Sequence, residues 1–319
     1  MRSDSAEFLA GEAFGDIGLG PLITIPSTLR RMAVDPDPLL RSVGIDPRLF
    51  DAPTNRLGLP RVGLLLRACV EATGTPHFGL LIGSQFELPM MNVLGYLVRN
   101  QPTVRAALRT LVLNLHLQDR GAVAALDETG GRNANMSYAV CTPRTPETGL
   151  INSASIMVGF RLLKSLCGPN WRPLEVRLAQ SPPLDVAVYR EMFEAPVRFD
   201  APLSMLIFER RWLDAEIEGA DPNLLRLLNE MVAALEGQAR LSLAHRVRRV
   251  LRNSVLAGTA NARHGRPDGA LLKRHGRRRA DRCVTRIRGA GAIHVKRSGI
   301  ARARILVSDL PVGALAAKH

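Results

Sequence analysis

Of the chain's 43 lysines and arginines, 19 fall in residues 241–319, where they face three aspartates and no glutamate, a net charge of +16. Residues 1–240 hold 24 Lys and Arg against 26 Asp and Glu, a net of −2, so the overall excess of +14 belongs entirely to the last quarter. A near-neutral body joined to so basic a region points to a polyanionic partner, nucleic acid before membrane. Within 241–256, Arg246, Arg248, Arg249 and Arg252 lie on one face of a helical pattern, opposite Leu243, Val247, Val250 and Leu251. Arg277, Arg278 and Arg279 form a second cluster. Arg246, Arg249, Arg277, Arg278 and Arg279 are the candidates for phosphate contacts, with the steep salt dependence that such contacts bring. A solvated basic tail is the reading that charge alone leaves beside this one.

Other chemistry is sparse. His264, His275, Cys283 and His294 are spaced by 11, 8 and 11 residues, which fits no zinc pattern, and the surrounding arginines repel a cation; no metal site and no cofactor is expected. The serines lack a G-x-S-x-G elbow, and neither H-E-x-x-H nor a calcium loop occurs. His77 in a turn, His116 on a helix, Asp185 as a helix cap and Glu191 on a helix surface form no acid–base pair. Gly15, Gly18 and Gly20 mimic a phosphate loop, yet no strand precedes them and no lysine follows. An enzyme is not expected.

The elements that would carry these residues begin after a Gly-rich, weakly patterned stretch, 1–21, expected to be disordered or weakly ordered. Asp35-Pro36 and Asp46-Pro47 each offer a helix cap followed by proline. Helices are expected over 60–73, 78–82, 90–99 and 102–118, the last with Val104, Leu108, Leu111 and Leu115 in a stripe. A strand pair at 121–126 and 135–140 turns through Thr129-Gly130-Gly131, and a helix at 149–166 stops at Cys167-Gly168-Pro169. Four unpaired cysteines without a C-x-x-C spacing suit a reducing cytoplasm, no secretory signal opens the chain, and the apolar runs are far short of a membrane span.

Residues 173–217 concentrate five of the fourteen aromatic residues: Tyr189, Phe193, Phe199, Phe208 and Trp212. Leu174, Val176 and Leu178 alternate with charged residues as a half-buried strand does. Asp185 caps a helix ending near Phe193, and strands follow at 196–199 and 203–208. Taken together, 22–218 is expected to be an α+β domain, helices packed on a small antiparallel or mixed sheet, and not a doubly wound nucleotide fold. Asp221-Pro222 opens an amphipathic helix with Leu224, Leu225, Leu228, Met231, Val232 and Leu235, suited either to its own core or to a dimer seam. Gly237-Gln238 is the expected hinge.

The stretch YREMFEAPVRFDAPLSMLIF resembles the end of the N-terminal effector domain of AraC-type transcriptional regulators, the branch with an arabinose-binding-like domain. DPDPLLRSVGIDPRLF, TGTPHFGLLIGSQ and LGYLVRNQPTVRAALRTLVLNLHL resemble successive parts of that domain in the same order, so the likeness runs from about 24 to 256. It implies a cytoplasmic regulator with a small-molecule effector of unknown identity, double-stranded DNA as partner, homodimerisation near the linker helix at 219–240, and no membrane. A pocket for the effector would lie between sheet and helices, where Tyr138, Phe160, Tyr189, Phe193 and Phe208 would line it or serve as plain core. The family's all-α DNA-binding region, two helix-turn-helix units, would occupy 241–319. Here the match is incomplete: residues 263–299 are rich in Arg, Gly and Ala, and 241–319 contain no Phe, Tyr or Trp to anchor a small core. Family likeness resumes at IARARILVSDLPVGALAAKH. The expectation is a degenerate, truncated helix-turn-helix region with an altered reading frame or a decayed gene near 263–299, impaired in specific DNA binding. The alternative is a ligand-binding or dimerising protein without specific DNA recognition.

Overall fold

The computed structural model of the protein describes residues 15–129, 131–238, 294–298 and 302–306. The ordered body begins earlier than the sequence suggests. Strand β1 (Asp16–Gly18) pairs antiparallel with β2 (Arg56–Gly58). Arg56 clamps this pair, donating to Asp16 Oδ1 at 2.9 and 3.0 Å and to the carbonyls of Leu117 and Gln118 at 3.1 Å. Gly20 is buried so closely that a Cβ there would lie 1.6 Å from the Met90 carbonyl oxygen. Residues 15–21 are therefore part of the packed domain, which corrects the expectation of a weakly ordered segment up to 21. What is buried is mostly backbone, and side-chain patterning cannot report that.

Short helices follow, α1 (Ile25–Arg31) and α2 (Pro36–Ser42). Asp35 caps α2 by accepting from the Asp37 amide, with Pro36 in the first turn; Asp46 repeats the device before the 3-10 turn Pro47–Asp51. Then come α3 (Leu59–Thr73), closed by Gly74 at φ +63°, and α4 (Phe78–Ser84). A 3-10 turn, Leu88–Met91, leads into α5 (Asn92–Arg99), followed by α6 (Val104–Asn114), whose cap Thr103 accepts from the Ala106 amide.

The second half supplies the sheet. Strands β3 (Ala122–Asp127) and β4 (Asn133–Val140) form a hairpin in the register Ala122↔Val140. Helix α7 (Thr148–Cys167), strand β5 (Glu175–Arg177), helix α8 (Ala187–Phe193) and strands β6 (Val197–Arg198) and β7 (Ser204–Glu209) follow. The five strands run in the order β3-β4-β7-β5-β6, all antiparallel except the β5–β6 pair, a mixed sheet as expected. Asp185 holds the start of α8 by accepting from the Ala187 amide at 2.9 Å. Beyond a 3-10 turn at Arg210–Asp214, helix α9 (Pro222–Gln238) begins at Asp221, whose carboxylate accepts from Asn223 and Leu224.

Helix α7 is the spine of the domain. It packs on β4 and β7 on one side and on α3 and α4 on the other. Gly79 and Gly83 let α4 approach: a Cβ at either would sit 2.8 Å or less from a carbonyl oxygen of α7. Its 20 residues are long and apolar enough, by length and composition alone, to cross a bilayer; the apolar-run reading from sequence missed this. Ten of its residues are buried against the sheet and the neighbouring helices, the burial expected of a core helix.

Two antiparallel strands, β8 (His294–Ser298) and β9 (Arg302–Leu306), pair with Val295 opposite Ile305. This corrects the all-α expectation for that stretch of 241–319. Arginine-rich sequence without an apolar stripe offers a helix nothing to bury, whereas β-branched residues at paired positions favour strands. The basic helix expected over 241–256 lies outside the described residues, as does the family-like stretch from 307 onward. Helix α9 continues through Gly237-Gln238, the expected hinge.

Candidate functional site

The five aromatic residues singled out from sequence separate into three places. Phe160 from α7, Phe193 from α8 and Phe208 from β7 come together around Trp171, which lies on the loop after α7. Ring centroids are 5.6 Å for Phe160–Trp171, 5.8 Å for Phe160–Phe193 and 6.0 Å for Trp171–Phe208. These tilted and edge contacts are the favoured geometry for aromatic pairs, and all four rings are buried. Tyr189 stands apart against Phe199, its hydroxyl accepting from Gln180 Nε2 at 3.1 Å. Burial pushes the Tyr189 phenol above its ordinary range.

Tyr138 is elsewhere again, on β4, donating its hydroxyl to Asp119 Oδ2 at 2.6 Å. Asp119 also accepts from the Gly121 amide at 2.9 Å and is 2 % exposed. Burial drives its carboxyl up to about 6, against the pull of the Tyr138 and Gly121 hydrogen bonds and of the Arg56 charge. Burial likewise raises the thiols of Cys69 and Cys167 to about 12, which leaves them protonated and unreactive at neutral pH. No group of three His, Cys, Asp or Glu side chains converges as a metal site among the described residues. Of the zinc candidates, only His294 falls within a described strand.

Among the described residues, two of the surface concavities have walls of mixed chemistry, and none of the five aromatic residues lines either. One, of about 510 Å³, lies over the turn after α2 between Asp37, Arg41, Asp46 and Arg48. Arg41 there meets Asp37 at 3.4 Å, and the Asp46 carboxylate caps the turn by accepting from the Arg48 backbone amide. The other, of about 280 Å³, lies between the 86–89 segment, α5 and α7. Phe86, Leu88 and Tyr96 give it apolar walls, Ser165 a hydroxyl, and Arg99 and Arg161 two guanidinium groups, against the single carboxylate of Glu87. Its wall is tight where α5 meets the preceding turn, because a Cβ on Gly95 would lie 1.8 Å from the Leu88 carbonyl oxygen.

Sequence reasoning did not find this second concavity. One signal was available: α7 carries only two charged residues, Arg161 and Lys164. Lys164 is ion-paired with Glu194 and lies over the Phe160 ring, whereas Arg161 has no hydrogen-bond or ion-pair partner among the described residues. The same concavity borders the linker. Arg99 donates to the Glu218 carbonyl at 2.7 Å, and Asn100 Oδ1 accepts from the Asp221 amide at 3.0 Å, at the start of α9.

Helix α9 presents two apolar faces. Leu228 and Val232 are buried on Leu97 of α5, with Val93, Leu117 and Leu225 around them. Leu224, Leu227 and Met231, spaced i, i+3, i+7, are 37 %, 53 % and 54 % exposed on another face. The five arginines proposed for phosphate contact, Arg246, Arg249, Arg277, Arg278 and Arg279, lie outside the described residues.

Residues 34–217, more than half of the chain, match the family profile of the arabinose-binding domain of AraC transcription regulators, N-terminal. The HTH-type transcriptional regulator VirS of Mycobacterium tuberculosis is 23 % identical over 235 residues, covering 73 % of this chain and 69 % of VirS. Of solved structures, the transcriptional regulator CdpR from Pseudomonas aeruginosa overlays with a TM-score of 0.47 at 18 % identity, over 71 % of this chain and 65 % of that one. Matched over the α+β body from α2 to the residue before the α9 linker, the chain belongs to the AraC family of transcription regulators through its arabinose-binding-type N-terminal domain.

Proposed function

We propose that the protein is a cytoplasmic, non-enzymatic, homodimeric regulator. Its α+β body, which extends to about 218, senses a small molecule. Residues 219–240 link and dimerise it, and residues 241–319 bind double-stranded DNA mainly through the phosphate backbone. The observation that carries this reading is the charge partition, −2 before residue 241 and +16 after it, in a chain of a transcription-regulator family. Arg246, Arg249, Arg277, Arg278 and Arg279 supply the phosphate contacts. The exposed Leu224, Leu227 and Met231 stripe supports a seam with a second copy, since one face of α9 is already covered by its own domain and the other is apolar and open.

The absence of Phe, Tyr and Trp from 241–319 favours weak sequence discrimination, because a small helical domain needs such anchors to hold a recognition helix rigidly. The same absence favours the second reading, a dimerising, ligand-binding protein without specific DNA recognition.

One experiment separates them: fluorescence anisotropy on DNA from upstream of its own gene, at about 50 and 200 mM salt, against a chain ending at Arg240. We expect binding by the full chain only, falling by roughly a hundredfold or more between the two salts and abolished by non-specific competitor. Survival with competitor would mean a working recognition element and would overturn the impaired-specificity reading. Loss of all DNA affinity, with the dimer intact by sedimentation, would establish the second reading. Leu227→Glu is expected to shift the dimer to monomer; an unchanged sedimentation coefficient would refute the α9 seam.

A further inference from the structure

We infer that the concavity between the 86–89 segment, α5 and α7 is a binding site for a small monocarboxylate with an apolar body, and that its occupancy is communicated to the linker helix through Arg99. This rests on the regulator reading and names the class of ligand and the route of its effect. The chemistry of the walls carries the first half. Phe86, Leu88 and Tyr96 offer apolar surface, and two guanidinium groups face the same small space with one opposing carboxylate, Glu87. A volume of about 280 Å³ lies at the lower edge of ordinary ligand sites and suits a compact molecule. The planar fork of arginine matches a carboxylate in two-pronged fashion, and a lone Glu87 works against ligands bearing several negative charges.

Arg161 is the sharper clue. It is one of two charges on an otherwise apolar helix, and its fellow, Lys164, is taken by Glu194. Arg161 itself is left without a partner among the described residues, at the edge of an apolar hollow. Arg56, Arg67 and Arg105 each hold a carboxylate of their own domain, and Arg161, which stands beside Arg99 at the concavity, does not among the described residues. The partner that fits Arg161 is one brought by a ligand.

The second half follows from connectivity. Helix α5 lines the concavity with Gly95, Tyr96 and Arg99, and the same helix carries Leu97, on which α9 rests. Arg99 already donates to the Glu218 carbonyl, and its neighbour Asn100 holds the Asp221 amide. A carboxylate drawn to Arg99 competes with a neutral carbonyl for the same donors and wins on charge. Binding thereby loosens one of the two hydrogen bonds by which Arg99 and Asn100 hold the chain at the start of α9, and a ligand that binds the loosened state better shifts the population towards it.

The test uses the full-length chain with hexanoate and benzoate as probes and hexanamide and benzamide as neutral isosteres, titrated calorimetrically. The expected result is that the carboxylates bind at least roughly tenfold tighter than the amides. Arg161→Gln is expected to remove that preference while leaving the unfolding midpoint unchanged, because the side chain is exposed and unpartnered. Hexanoate is expected to speed hydrogen exchange of the 219–224 amides, and Arg99→Gln to speed it without ligand. Equal affinity for acid and amide, no binding by any probe at about 20 mM, or an acid preference that survives Arg161→Gln each overturns the site. Carboxylate binding with unchanged exchange at 219–224 overturns the communication. Sedimentation and DNA anisotropy on the same preparations keep the two readings distinct: dimer and DNA binding without carboxylate binding sink the site and spare the regulator, and the converse result does the opposite.

Discussion

Two buried clusters of very different size hold the described residues together. The larger runs from Ile17 to Ile217 and joins the sheet to α7 and the surrounding helices, with the Trp171, Phe160, Phe193 and Phe208 rings within it. The smaller consists of Leu97, Leu228 and Val232, with three half-buried neighbours, and among the described residues it is the cluster that fastens α9 to the domain. Each buried leucine contributes a few kcal/mol at most, so the first cluster resists opening as a unit while the second sits within reach of a ligand's binding energy. The difference teaches where the molecule has room to change state: at the junction of α5 and α9, and not inside the sheet.

The largest expected effect is in the larger cluster. Phe208→Ala should cost about 3–5 kcal/mol, since Phe208 is fully buried against Trp171 and the space cannot collapse between sheet and helix. Urea unfolding followed by tryptophan fluorescence measures it; a loss below about 1 kcal/mol would remove the rings from the centre of the fold.

Next is the buried carboxyl of the same cluster. Asp119 is raised from an ordinary 3.8 to about 6, so the folded state holds its proton more tightly than the unfolded chain does. The stabilisation is complete below pH 3.8 and lost as pH rises through about 6, a swing of roughly 3 kcal/mol at 1.36 kcal/mol per unit. Stability of the wild type measured against Asp119→Asn should therefore fall between pH 4 and pH 7. A flat difference would mean that the Tyr138 and Gly121 hydrogen bonds fully offset burial. The Leu97, Leu228 and Val232 contact has no titratable member, and protection of α9 should not follow this curve.

The smallest effect is the most discriminating. Leu228→Ala should cost about 2 kcal/mol, and only locally: amides of α9 should exchange faster in deuterium while the global unfolding midpoint stays in place. If midpoint and exchange move together, the two clusters are one cooperative unit and the contrast between them is false.

Much of the first cluster can be read from the chain. Alternation at Val176 and Leu178, the caps at Asp35, Asp46, Asp185 and Asp221, and the break at Gly168 each act over a few residues, and local order is what they determine; Leu174, expected in the same alternation, is 43 % exposed and stands outside the cluster. The concavity is another matter. Tyr96 and Arg161 are 65 positions apart, and nothing in their spacing says that α5 and α7 meet. Residues 15–21 were equally opaque, because their contribution is backbone against backbone at Gly20 and a strand pairing with Arg56. The aromatic residues misdirect for the opposite reason: a pocket and a core ask for the same side chains, and only packing distinguishes them. In 294–306 the family likeness implied helix, while the residues themselves carry strand preference.

Gly95 has a bearing on how such a sensor could be retuned. With the Leu88 carbonyl 1.8 Å from where a methyl group would start, this wall admits no variation at all: every replacement pushes α5 off its seat and carries Leu97 and the linker with it. Ser165, Tyr96 and Arg161 project from exposed positions with open space beyond them. A library aimed at new ligand preference would spend its diversity on those three and hold residue 95 constant. Selectivity and transmission would then be inherited separately, one from freely exchangeable side chains and the other from a missing one.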